Sequence, residues 1–435
     1  MLKILKTSEK GIEAELNKVL NRSSFDNEAQ VQAVQEIWDN VKSRGDEAIF
    51  EYTARFDQVD LKDRGLEVSQ EEIEEAYKQV DDEFLKAIRV SIKNVSEFHN
   101  KQLQESWMDV KEDGVILGQK IEALERVGIY VPGGSAPLVS SVVMNGAPAK
   151  VAGVKEIIMV TPPAKNGGIN PYTLVTAAEV GVDKIYKVGG AQAVAGLALG
   201  TETITKVDKI VGPGNIYVTL AKKMAFGYVD IDMLAGPSEV LVLADESANT
   251  RFVAADLLSQ AEHDPIASSI LVTTSLDLAK KVNQEVEKQL EELSRKEIAS
   301  ESLNNYGAIL LARDLDEAID LTNRFAPEHL EVKVDDPFAI LGKLKNAGAI
   351  FMGEYAAEPV GDYIAGPNHV LPTGGSARFY SPLNIDDFMK KSSIIYYTKA
   401  GLEKVKDDAI KIAEVEGLDA HANSIKVRFE GSSDE

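Results

Sequence analysis

A chain of 435 residues, with 44% hydrophobic and 27% charged side chains, has enough apolar material for a large core and divides into at least two globular domains. Its 47 basic and 70 acidic residues give a formal net charge of −23, which repels phosphate backbones, excludes nucleic acid as a partner and favours a small cationic substrate. The lack of cysteine excludes disulfides, thiolate metal sites and thiol nucleophiles, and no apolar run approaches the roughly 18 to 20 residues that a membrane-spanning helix needs.

The opening Met1-Leu2-Lys3-Ile4-Leu5-Lys6 lacks a signal-peptide core, so a cytoplasmic protein is expected. The first hundred residues read as helices: Val31, Val34, Ile37, Trp38 and Val41 recur at helical spacing, and a second pattern runs from about Glu71 to His99. His99, at the end of that pattern beside Phe98, reads as structural or superficial. Acidic runs such as Glu71-Glu72-Ile73-Glu74-Glu75 read as solvated helix faces.

From Val127 onward, short β-rich runs alternate with helical segments: 127–131, 157–161, 184–188 and 209–212, then 240–244, 269–273, 308–311, 330–334 and 349–352. The pattern predicts an α/β protein of two Rossmann-like domains with parallel-type sheets, a helical N-terminal region and a small C-terminal tail. The expected boundaries are 1–129, 130–237, 238–383 and 384–435. The tail, with a strand at 394–397 and a helix near 402–416, is too small to stand alone and must dock on its own body or on another subunit.

Three strands run into glycine turns: Gly133-Gly134-Ser135, Gly189-Gly190-Ala191-Gln192 and Gly212-Pro213-Gly214-Asn215. Each precedes a helix, a layout suited to a phosphate or dinucleotide at the carboxyl ends of the strands, although tight connections alone would also explain any one of them. No G-x-G-x-x-G and no G-x-x-x-x-G-K-[ST] is present.

Five histidines are the only source of imidazole chemistry. Gln260 and His263 lie three apart at the end of a helix that Pro265 should terminate, and they are either partners on one face or a simple helix end. Glu328-His329 precedes a strand, where an acid and an imidazole can serve two roles or form a solvated loop pair. Asp362 and His369 fall in a Gly/Pro-rich connection long enough to cover a site, and Glu416 and His421 flank a helix end marked by Gly417. Gathered together, Gln260, His263, Asp362 and His421 would offer zinc nitrogen and oxygen donors without sulfur, but no compact zinc motif forces them together.

These residues and the words around them resemble the histidinol dehydrogenase family. The most specific stretch runs from Ile231-Asp232-Met233-Leu234-Ala235-Gly236-Pro237-Ser238-Glu239-Val240 through Ser259-Gln260-Ala261-Glu262-His263. Tyr130 to Gly134, Val188 to Ala193, Gly212 to Asn215, Pro327 to Leu330, Gly361 to Tyr363, Asn368 to Pro372 and Ala420-His421 resemble further family motifs in the expected order. Leu234, where many members carry proline, is an apolar difference without chemical consequence.

The resemblance implies a zinc-dependent, four-electron oxidation of L-histidinol to L-histidine with two NAD. Gln260, His263, Asp362 and His421 would ligate one zinc per subunit, and Glu328 and His329 would be the acid-base pair. Ser238 and Glu416 would contact substrate together with the metal ligands and His329. Tyr130, Gln192 and Asn215 would contact NAD. It also implies a homodimer whose C-terminal tail crosses over, so that Glu416 and His421 complete the partner's site. His369 has no assigned role. With no thiol available, water must be the nucleophile on the aldehyde, with Glu328 activating it and His329 taking the alcohol proton. A zinc hydrolase and a non-catalytic small-molecule binding protein are the rival readings, since α/β folds host all three.

Overall fold

A computed structural model of the chain describes residues 2–8, 17, 28–133 and 138–430. It opens with a strand, β1 (Lys3–Lys6), followed by helices α1 (Glu28–Arg44), α2 (Asp46–Phe56), α3 (Gln70–Tyr77) and α4 (Asp82–Asn100). The helical reading of this region stands, and α1 buries Val34, Ile37, Trp38 and Val41. Ser69 starts α3 with a capping box, its hydroxyl accepting from the Glu72 amide while the Glu72 carboxylate accepts from the Ser69 amide. The strand at the start was not anticipated: four residues with lysine at both ends carry almost no periodic signal, and only pairing with a distant strand makes them β.

Two strands, β2 (Trp107–Val110) and β3 (Ile116–Ala123), precede the alternating region. There β4 (Arg126–Tyr130), α5 (Val139–Ala152), β5 (Glu156–Thr161), α6 (Pro171–Val180), β6 (Lys184–Lys187), α7 (Gly190–Leu199), β7 (Lys209–Val211), α8 (Ile216–Ala225) and β8 (Asp230–Ile231) follow one another. The second series is β9 (Glu239–Ala244), α9 (Thr250–Ala261), β10 (Ser268–Thr273), α10 (Leu276–Leu290), α11 (Lys296–Tyr306), β11 (Ala308–Leu311), α12 (Leu315–Phe325), β12 (His329–Lys333), α13 (Pro337–Ile340), β13 (Ala349–Met352) and α14 (Glu358–Tyr363). The chain ends in β14 (Met389–Tyr396), α15 (Lys399–Glu403), α16 (Lys406–Val415) and α17 (Asp419–Lys426).

The chain divides into two compact units. Unit 1, residues 1–102 and 124–388, contains two all-parallel sheets, one ordered β6-β5-β4-β7-β8 and the other β1-β11-β10-β9-β12-β13. In each the chain winds outward from a central strand and then returns to that strand's other side, so the order switches between β4 and β7 and between β9 and β12. The apolar side of α1 and α2 packs on α7 over the first sheet, through Ile37, Trp38, Ile49, Leu197 and Ala198. The short link 232–238 joins the carboxyl end of β8 to the amino end of β9. Unit 2, residues 103–123 and 389–435, is an antiparallel sheet ordered β14-β3-β2 with the three final helices.

Candidate active site

The turns at the carboxyl ends of β4 to β7 surround a cavity of about 1030 Å³. Tyr130 closes β4, Gln192 lies in the first turn of α7, and Asn215 caps α8 by accepting from the Tyr217 and Val218 amides at 3.1 and 3.2 Å; all three line the cavity. The Tyr130 hydroxyl accepts from the Gly190 amide at 3.0 Å, and burial pushes its pKa up to about 12. Gly212 has a φ of 113°, and a Cβ there would lie 2.2 Å from the Tyr130 carbonyl oxygen, so glycine is what lets the ends of β4 and β7 touch. A buried Lys222–Asp232 ion pair holds this glycine from both sides: Asp232 accepts its N–H at 2.8 Å and Lys222 donates to its carbonyl at 2.9 Å. Of the first glycine turn, Gly133 lines the cavity, while Gly134 and Ser135 lie outside the described residues.

A second cluster forms at the amino-terminal edge of the six-stranded sheet, where β9 and β12 start side by side. Glu239, the first residue of β9, grips both members of the Glu328-His329 pair. Its amide donates to Glu328 Oε2 at 2.8 Å, and its carbonyl faces His329 Nδ1 at 3.0 Å. A carbonyl only accepts, so Nδ1 carries the proton, and Nε2 lies 3.7 Å from Asp362 Oδ1.

Asp362 arrives on α14, a short helix with Pro359 in its first turn, where the sequence suggested an open connection. Glu358, one turn earlier, is buried, and its carboxylate, that of Asp362 and the His329 ring lie within 4.8 Å of one another. Helix α9 stops at Ala261, short of the Pro265 terminator, and the turn continues with the His263 amide donating to the Gln260 carbonyl at 3.2 Å. Gln260 is fully buried, and neither its amide oxygen nor its amide nitrogen has a hydrogen-bond partner among the described residues. His263 is open to solvent on one side, while protein groups crowding its ring lower its pKa against the pull of Asp362. His369, left without a role by the sequence, brings a third imidazole under the influence of the same carboxylate; its burial lowers its pKa while Asp362 opposes.

Charge dominates this edge. Burial alone would lower the His329 pKa, but the carboxylates of Glu358, Glu328 and Asp362 carry it up to about 10. Burial raises Glu328 to about 8 and Glu358 to about 7, in each case against the pull of His329. Burial also works to raise Asp362, yet His329, His369 and His263 hold it below the usual carboxylate range.

Behind the cluster, β12 divides its side chains by face. His329, Glu331 and Lys333 alternate on one side, and Leu330 and Val332 enter the apolar core on the other. Lys333 Nζ lies 2.9 Å from Glu331 Oε2 and 3.5 Å from Asp256 Oδ2, and donates to the Ala356 carbonyl at 2.9 Å, tying the strand to the segment that leads into α14. Glu331, raised to about 9 by burial and by Asp256, accepts the Glu358 amide at 3.0 Å.

Gln260, His263, Glu328, His329 and Asp362 therefore converge at one edge of unit 1, with Ser238 immediately before β9. Glu416 and His421 belong to unit 2, at the end of α16 and in α17, and both are exposed in the single chain. Sequence reasoning missed Glu358, Glu331, Lys333 and Asp256. The available signal was His-Leu-Glu-Val-Lys: three ionisable residues at alternate positions of a strand flanked by others on both sides.

A crevice at the carboxyl edge of one parallel sheet and a buried acid-base cluster at the amino edge of another are the layout of an α/β enzyme with two separate half-sites. Comparisons with known proteins specify it further. The family described as histidinol dehydrogenase matches residues 20–429. The chain is 59% identical over 413 residues to the histidinol dehydrogenase of Caldanaerobacter subterraneus subsp. tengcongensis, covering 95% of this chain and 96% of that one. It is 58% identical over 408 residues to that of Clostridium acetobutylicum, covering 94% of each. The crystal structure of histidinol dehydrogenase from Elizabethkingia anophelis aligns with a TM-score of 0.93 at 40% identity, over 99% of this chain and 98% of that one. The chain belongs to the histidinol dehydrogenase family, which sets aside the hydrolase and binding-protein readings. No helix among the described residues is long and apolar enough to cross a membrane.

Proposed function

We propose that this chain oxidises L-histidinol to L-histidine through histidinal, consuming two NAD in succession at a site that holds one zinc ion. The observation that carries the metal is Gln260: a fully buried amide with both polar atoms unpartnered among the described residues, in the same helix end as His263, is a costly arrangement that a bound cation would relieve. Gln260, His263 and Asp362 would hold the ion, joined by His421 from a second copy of the chain. The same exchange would bring Glu416 to the substrate opposite Ser238, in a homodimer of cytoplasmic enzymes. Bound there, zinc would supply a fixed positive charge to orient the imidazole and amine of the substrate and to offset the carboxylate field on His329.

His329 takes the alcohol proton on Nε2, its ring held by the Glu239 carbonyl. Glu328 takes a proton from the water that adds to the aldehyde, because the chain has no thiol to attack it. Tyr130, Gln192 and Asn215, which line the cavity, would hold NAD, and the bound cofactor would supply the hydride acceptor. In this division of labour residues 130–237 serve the cofactor, 238–383 the metal and chemistry, and 384–435 the dimer, with 1–129 leading into the first α/β domain.

The deciding experiment counts NADH formed per histidinol with excess NAD and zinc-replete protein. Two, lost on chelation and restored by zinc, is expected; one means that oxidation stops at the aldehyde, and none rejects the reading.

A further inference from the structure

The N-terminal helices are more than scaffold, because the end of α2 forms a wall of the cavity. Asp57, the residue that terminates α2, lines it, and its Oδ2 is shut away from solvent with no hydrogen-bond partner among the described residues. Gln192 Oε1, in the same cavity, is likewise buried and unpartnered. Two buried acceptors in one cavity call for a ligand that brings donors. Asp57 also stands close enough to Tyr130 for its charge to act on the tyrosine hydroxyl, which places it among the proposed NAD contacts.

We infer that Asp57 accepts a hydroxyl of the cofactor's adenosine ribose and thereby selects NAD over its 2′-phosphorylated form. This rests on reading the cavity as the NAD site. No member of the histidine–carboxylate cluster lines this cavity, so the cavity takes the part of the cofactor that lies away from the reacting ring, its adenosine half. A free ribose diol satisfies a carboxylate with O–H donors. A 2′-phosphate brings only negative charge to a partly buried anion that already sits at the carbonyl end of a helix. Burial raises the Asp57 pKa to about 6, as expected where no cation compensates the carboxylate. Arg55 and Lys165 also line the cavity, but both are exposed, where solvent and salt screen their attraction for a phosphate. Discrimination then comes from a repulsive element as much as from an attractive one.

The test compares kcat/KM for NAD and NADP, at saturating histidinol with zinc-replete enzyme, in the wild type, Asp57→Asn and Gln192→Ala. Asp57→Asn keeps the shape and removes the charge, so the NAD:NADP ratio should fall about tenfold or more, through KM and not kcat, with an unchanged thermal midpoint. An unchanged ratio in Asp57→Asn, with Gln192→Ala still raising the KM for NAD, overturns the role of Asp57 and leaves the cavity as the NAD site. If Gln192→Ala leaves that KM unchanged as well, both fall. Should Asp57→Asn prove unstable, Asp57→Ser serves in its place, with the same ratio deciding.

Discussion

The carbonyl of Glu239 faces His329 Nδ1 at 3.0 Å, while the amide of the same residue donates to Glu328 at 2.8 Å. One residue of β9 thus fixes the tautomer of the imidazole and the position of the neighbouring acid. His329→Asn puts an amide donor where Nδ1 was and removes Nε2. It should retain the fold and the contact to Glu239 yet lower the rates of both oxidations by about 10²- to 10⁴-fold, as measured by NADH release from histidinol and, separately, from histidinal.

Glu328→Gln should divide the reaction. Oxidation of the alcohol needs no activated water, so NADH per histidinol should fall from two toward one, with histidinal trapped by an added hydrazine. In the wild type the basic form of Glu328 is the active one. Burial places its pKa at about 8, so the rate of histidinal oxidation should rise as pH increases through that value, and the glutamine variant should lack that rise. Equal loss of both half-reactions in Glu328→Gln would remove the assignment.

Metal-free protein should be pH-sensitive at the cluster. Burial raises Glu358 to about 7, so the folded chain takes up a proton there that the unfolded chain, with an ordinary carboxyl near 4.5, does not. The resulting stability is complete below about pH 4.5 and is lost as pH rises through about 7. The thermal midpoint of chelated wild type should therefore drop from about pH 5 to about pH 7.5, less steeply in Glu358→Gln. Zinc should flatten the curve by giving the carboxylates a cation.

Lys222→Met leaves Asp232 as an uncompensated buried anion beneath Gly212. Breaking such a pair costs about 3–5 kcal/mol, which denaturant unfolding at neutral pH would register. Because Lys222 also donates to the Gly212 carbonyl, the KM for NAD should rise in the fraction that remains folded. Lys222→Met combined with Asp232→Asn should recover part of the stability.

Much of the fold could be read from the sequence because buried parallel strands are continuous apolar runs between helical segments, as at 156–161 and 239–244. β1, β2 and β3 escaped because four to eight residues of mixed polarity become strands only when a distant partner supplies the ladder: β11 for β1, and β14 for β3. At the candidate site, Gln260 and His263 drew notice by their spacing, and Glu328 and His329 by their place before a strand. Glu358 and Glu331 carry no such mark. Each is one acid among 70 acidic residues, and only burial beside His329 or Lys333 separates them from the solvated ones. The placement of the cluster was also hidden: open sheets lead one to search the carboxyl edge, whereas these groups gather at the amino edge of β9 and β12.

The link 232–238 gives that placement a further meaning. Its first residue, Asp232, clamps the Gly212 turn, and the residue just past its end, Glu239, clamps the Glu328–His329 pair. Fully stretched it spans at most about 25 Å, so it acts as a calliper between two half-sites built on separate sheets. On the proposed reading, lengthening or shortening the link by a single residue would alter the gap that hydride must cross, and would shift Ser238 and the Gly236 amide held by Thr373 with it.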